Sequence, residues 1–149
     1  MNLLTIADAL ALRYASTNVT PPTGLKNITS ATARPPNNIP NTPFVIVWAQ
    51  SGDVEYVPGQ RKGEHEFQVV FYYSKSEGDV PREYVALLKW LGVLLDCTNA
   101  QMQLGLAGTV LKSIPMKWEI GSVVYAGDQY EVITLTVHVW TAEAVTLVP

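Results

Sequence analysis

Charge is what this sequence has least of. Lys, Arg, Asp and Glu together make up 15% of its 149 residues, against about 25% in a typical soluble domain. The balance is slightly acidic, with a net charge of −3, which argues against a surface built to hold nucleic-acid phosphates. Cys97 is the single cysteine. That excludes a disulfide framework and a cysteine metal cluster, and its place near a predicted helix end reads as a small buried apolar residue. There are two histidines, His65 and His138. No HExxH, CxxC, phosphate-binding glycine loop or nucleophile elbow occurs, so no enzyme class and no cofactor is indicated. No apolar run is long enough to span a membrane, and the N-terminus lacks the charged region and apolar core of a secretory signal. Mean hydropathy is nonetheless positive. A chain this poor in charge is expected to hide surface in an oligomer.

The apolar residues concentrate in two neighbouring stretches. In Asp79 to Cys97, Tyr84, Leu87, Leu88, Leu91, Leu94 and Leu95 recur at helical spacing. Asp79 suits the N-cap and Pro81 the first turn. The opposite side carries Val85, Ala86, Trp90 and Val93 rather than charge. A helix apolar on two sides is either sandwiched in its own domain or faces another chain, and Val85, Trp90 and Val93 are the candidates for a subunit contact. Just upstream, His65, Phe67, Val69, Phe71 and Tyr73 alternate with Glu64, Glu66 and Gln68, the pattern of a strand with one buried face.

The rest divides cleanly. Residues 2–15 read as an N-terminal helix, with Leu3, Ile6, Ala7, Leu10 and Tyr14 on one face and Thr5 and Asp8 at capping-box spacing. Residues 16–42 form a proline-rich arm, including Pro21, Pro22, Pro35, Pro36 and the cation Arg34. Prolines stiffen such a stretch, and it is expected to lie across the domain or to reach a neighbour; the alternative is a solvated surface loop. Phe44 to Ala49 is a strand apolar on both faces. Ser51 to Asp53 is expected to turn, and Gly59 to Gly63 to make a basic tip with Arg61 and Lys62, for contact with DNA phosphates or an acidic neighbour, or simply for solubility. The final hairpin is predicted to turn at Gly127-Asp128. That pairs residues summing to 255, with Ile120 facing Leu135, and a bulge at Gly121 would break this register. Pro115 places its strand at or near a sheet edge. The total is one domain over 1–149 with 43–149 forming the sheet and main helix. Its class is α+β: an antiparallel sheet of about four or more strands packed with two main helices. Glu55, Glu64, Glu66, Glu119 and Glu131 fall mostly on strand faces as solvated carboxylates, or as a lumen lining if the chain forms a ring.

The order of three segments resembles the tail terminator proteins of long-tailed, non-contractile bacteriophages. The segments are the N-terminal helix running into TPPTGLKNITSATARPPNNIPNTPFVIVW, the run from EHEFQVVFYY through DVPREYVALLKWLGVLLD, and the closing VVYAGDQYEVITLTVHVW. The resemblance implies a structural virion protein, not an enzyme. It implies a ring of copies, usually a hexamer, on the head-proximal end of the tail tube, ending tube polymerisation and meeting the head-completion (neck) proteins. DNA passes through such a ring without being read. The family has no motif that fixes functional residues. The alternatives are a neck or head-closure ring, and, in another class, a small hydrolase or ligand-binding module.

Overall fold

Two alternating strands, one from each half of the chain, pair at the centre, and every other element is laid beside or upon them. The computed structural model describes residues 2–76, 83–99 and 103–145. In chain order the elements are α1 (Leu3–Arg13), β1 (Ser30–Thr32), β2 (Phe44–Val57), β3 (Gln60–Lys75), α2 (Tyr84–Asn99), β4 (Val110–Tyr125) and β5 (Asp128–Ala144). The strands form one five-stranded sheet in the order β1-β2-β3-β5-β4. The fold is α+β, as the patterning indicates, but the sheet is mixed: β1 joins β2 in parallel, and the other pairs are antiparallel.

Residues opposite one another on neighbouring strands project to the same side of the sheet. On one side, which we call the helical face, Val45, Val47, Phe67, Val69, Phe71, Ile133, Leu135, Val137 and Val139 are buried beneath α1 and α2. α1 starts with Asn2 as its cap, whose side-chain oxygen accepts from the N–H groups of Leu4 and Thr5 at 3.0 and 3.3 Å. The expected box of Thr5 and Asp8 is therefore not the cap; the helix begins earlier, and Asp8 pairs with Arg34 at 3.2 Å instead. Asp79 and Pro81, expected to open α2, lie outside the described residues.

The buried side of α2 is rotated from the leucine stripe. Leu87, Trp90, Leu91, Leu94 and Cys97 are buried, while Tyr84 and Leu88 are 51% and 41% exposed. The indole of Trp90 is fully buried and packs on Phe71, with ring centroids 4.9 Å apart. Trp90 is therefore a core residue, which corrects its expected place at a subunit contact. The largest apolar side chain gains most from burial, so it rather than Leu88 turns inward. The last turns of the two helices are tied together. The Arg13 guanidinium donates to the Cys97 carbonyl at 3.0 Å, and the Cys97 thiol donates to the Arg13 carbonyl. A cation at this end of α2 complements the helix dipole.

The proline-rich arm lies across its own domain. Val19 and Ile28 join the main core, and β1 pairs with the start of β2. The arm then crosses to the other side of the sheet. There Ile39 packs with Phe44, Ile46, Val70, Tyr72, Tyr130 and Val132 in a second, smaller core, and the Tyr125 hydroxyl donates to the Pro36 carbonyl. The expected turn at Ser51 to Asp53 is absent. β2 runs on to Val57 through a bulge between Ala49 and Ser51, and the turn falls at Pro58-Gly59.

The β4–β5 hairpin turns at Ala126-Gly127, both with positive φ (51° and 86°), so Tyr125 pairs with Asp128 and Ile120 with Ile133. This is two residues away from the expected register. Side chains alternate with period two, so from Lys117 to Tyr125 a shift of two leaves every residue on the same face, and alternation could not separate the registers. From Lys112 to Pro115 the shift is odd, and Ser113 faces the core beside Val139 while Ile114 lies opposite His138. No bulge occurs at Gly121; the irregularities lie between Pro115 and Lys117 and between Val110 and Lys112. Pro115 does sit on an edge strand.

Trp90→Ala costs about 3–5 kcal/mol, whereas Val85→Ala stays within about 0.5 kcal/mol; urea denaturation checks both, and equal costs contradict the rotated face. Burial also pushes the Cys97 thiol above its ordinary pKa. Cys97 should therefore react with a thiol reagent far more slowly in the native protein than in denaturant, as absorbance stopped-flow would show.

Candidate functional site

The ten positions expected at an interface are scattered by the fold. Val85 is 65% exposed on the outer side of α2, near Tyr84 and Leu88. Val93 is half-buried against the core and Trp90 lies within it. Pro21, Pro22 and Pro36 are half-buried, and Pro35 is exposed on the folded-back arm. Arg34 is held by Asp8. Arg61 and Lys62 do not form a tip. They lie within β3, where Arg61 pairs with Glu143 of β5, and Lys62 alone is exposed. The glycine-flanked pattern misleads because only Gly59 belongs to the turn.

What the fold assembles instead is a polar half-face. On the side away from the helices, the small tyrosine core ends at Val70 and Ile46. Beyond it the same face presents Ser51, Asp53 and Glu55 from β2, Lys62, Glu64, Glu66 and Gln68 from β3, Thr134, Thr136, His138 and Trp140 from β5, and Lys112, Lys117 and Glu119 from β4. Carboxylates outnumber lysines. The Glu64 carboxylate lies 2.8 Å from His138 Nδ1, Glu66 lies 3.6 Å from His138 Nε2, and the Lys112 ammonium sits 4.5 Å over the Trp140 ring. The Ser51 hydroxyl donates to Glu66 at 3.1 Å. No histidine touches it, so the nucleophile–base contact that a serine hydrolase needs is missing here. Clefts of about 160 Å³ at Ser51, Glu64 and His138 and about 280 Å³ at Asp53, Lys62 and Trp140 lie along this half-face, at or below the lower end of small-molecule sites. Among the described residues no group of His, Cys, Asp and Glu is placed to hold a metal ion.

His65 has a different surrounding. It projects to the helical face, buried, with Nε2 3.2 Å from the Thr141 hydroxyl. Two glycines make room for its ring. A Cβ at Gly52 would stand 2.7 Å from Nδ1, and one at Gly63 would stand 2.5 Å from Nε2. Burial, and secondarily the positive charge of Arg61, hold the His65 pKa below its ordinary value. The alternation that sets His65 on one strand face with Phe67, Val69 and Phe71 agrees with that packing.

Exposed apolar side chains gather where the helices stop. Val54 and Tyr56 on β2 and Leu111, Met116 and Trp118 on β4 are all at least half exposed or nearly so. Among the described residues, both strands also have an unpaired edge. β1 meets β2 only as far as Ile46, leaving the outer edge of β2 open from there to Val57, and β4 is the last strand of the sheet. The sequence signal for these edges was the length of the alternating runs against the shortness of the helices.

No family model matches this chain, and no curated protein matches it in sequence.

The histidine yields a pH prediction. Its depressed folded pKa means that the unfolded chain binds the extra proton first. The contribution to stability is complete above about 6.5 and is lost as pH falls below it. The melting temperature should drop between pH 7.5 and 5.5, and His65→Gln should flatten that slope. An unchanged slope in the variant contradicts the assignment.

Proposed function

We propose that this chain is the subunit of a ring that caps the head-proximal end of the tail tube of a long-tailed, non-contractile bacteriophage. In this reading the ring ends tube polymerisation and offers the surface that joins the head-completion proteins. The observation that carries the proposal is the one-sided clothing of the sheet. Helices and apolar core take one face, and half of the other face is open, polar and predominantly acidic. A ring whose open sheet faces its axis has a lumen of that character. Carboxylates there repel phosphate, so DNA slides past without the cation contacts that would hold it. The few surface charges and the apolar side chains at the sheet edges fit a chain that completes its burial in an assembly.

A head-closure ring would share these features and differ in its partner, so the partner decides between them. The hydrolase reading is weakened by the Ser51–Glu66 bond, which gives the serine a carboxylate in place of a histidine base. The test is light scattering of the purified chain, followed by negative-stain imaging with and without tail tube protein. The expected result is a hollow ring, alone or on the tube end, and shorter tubes when the chain is added during polymerisation. A monodisperse monomer at high concentration that leaves tube length unchanged overturns the proposal. A ring that binds portal-side proteins and ignores the tube turns it into the head-closure reading. Duplex DNA should not bind at physiological salt in a gel-shift assay.

A further inference from the structure

We propose that the open edge of β2 pairs with the open edge of β4 of a second copy of this chain, so that the sheet continues from subunit to subunit. Three observations place these two edges together. First, the sheet order β2-β3-β5-β4 alternates direction at every step. β4 therefore runs antiparallel to β2, and a neighbour in the same orientation can add its β2 to β4 as an antiparallel strand, with the ladder interrupted at Pro115 and at the two irregularities of β4. Second, the open stretches lie at the same end. One row across the sheet reads Asp53, Glu64, Trp140, Lys112, and a second reads Trp48, Gln68, Thr136, Lys117. Each begins on the β2 edge and ends on the β4 edge, and all eight side chains are on the open polar face. Third, the signs are complementary. The free stretch of β2 carries Asp53 and Glu55 and no cation, while the facing part of β4 carries Lys112 and Lys117. Joining copies row to row sets Lys112 beside Asp53 of the next copy and Lys117 beside its Trp48.

Charge also selects the symmetry. Pairing β2 with β2 would oppose carboxylates, and pairing β4 with β4 would oppose lysines, which cross-strand pairs disfavour. Only the head-to-tail contact satisfies both edges. Such a contact repeats, closing as a ring or running on as a filament. Exposed Val54 and Tyr56, left bare by the short helices, are covered in the same step. The contact itself stands on these edges alone; its closure into a ring rests on the reading above.

The test uses charge reversal in the full chain. Asp53→Lys with Glu55→Lys makes both edges positive, and Lys112→Glu with Lys117→Glu makes both negative. All four side chains are exposed or half-exposed, and thermal melts confirm that each variant folds. Like-charge juxtaposition across an interface costs enough to weaken self-association at least about tenfold. Each variant alone should therefore remain monomeric by light scattering at concentrations where the parent assembles. An equimolar mixture of the two should assemble again, because residues 53 and 112, which face each other, carry opposite signs at every contact between unlike copies, and the edges as a whole are again of opposite charge. Variants that assemble like the parent, or a mixture that stays monomeric, overturn the edge contact while a parent ring leaves the ring reading standing. A mixture that rescues open chains but never a closed ring supports the contact and overturns the ring.

Discussion

Strand length is the constraint on which this structure turns. β3 and β5 have 16 and 17 residues, so at roughly 3.3 Å per residue each spans about 50 Å. α2, with 16 residues, is only about 24 Å long, and α1, with 11, about 16 Å. Two helices of that size cannot clothe such a sheet from end to end, and they cannot reach its second face at all. The apolar residues follow the shortfall. Those under the helices make the main core, those under the folded-back arm make the tyrosine core, and the remainder of β2 and β4 is left with apolar side chains in the open.

From that mismatch the other features follow in order. The uncovered half-face must be polar to remain in water, and it is. The uncovered edges must either be protected or be used. Their charges are opposite in sign, with Asp53 level with Lys112 across the sheet, a pattern that disfavours pairing of either edge with its own kind. Even the proline-rich arm fits this logic, because a stiff segment anchored by Val19, Ile28 and Ile39 can cover one end of the second face without a third helix.

Much of the fold was legible from periodicity. The alternation of Glu64 to Tyr73 and of Ile133 to Val139 gave strands with the right inner residues, and Pro115 marked an edge. Other features were illegible for physical reasons. Between Lys117 and the turn a register shift of two residues preserves every face, so Ala126 could take a left-handed turn position unseen. The rotation of α2 depended on Phe71 offering Trp90 a partner, which helical spacing alone does not encode. Arg61 looked like a tip because Gly59 and Gly63 flank it. Gly63 is there to admit the His65 ring, and Glu143, distant in sequence, is what holds Arg61. The acidic half-face and the opposed charges of the two edges emerge only when four strands are laid in register.

The central claim is that this sheet is incomplete in one chain and is completed edge to edge by the next. Hydrogen–deuterium exchange of the dilute and the assembled protein tests it most directly. The account predicts that amides in residues 48–57 and 110–117 become protected on assembly while those of β3 and β5 stay as they were. Assembly without protection at either edge would contradict it.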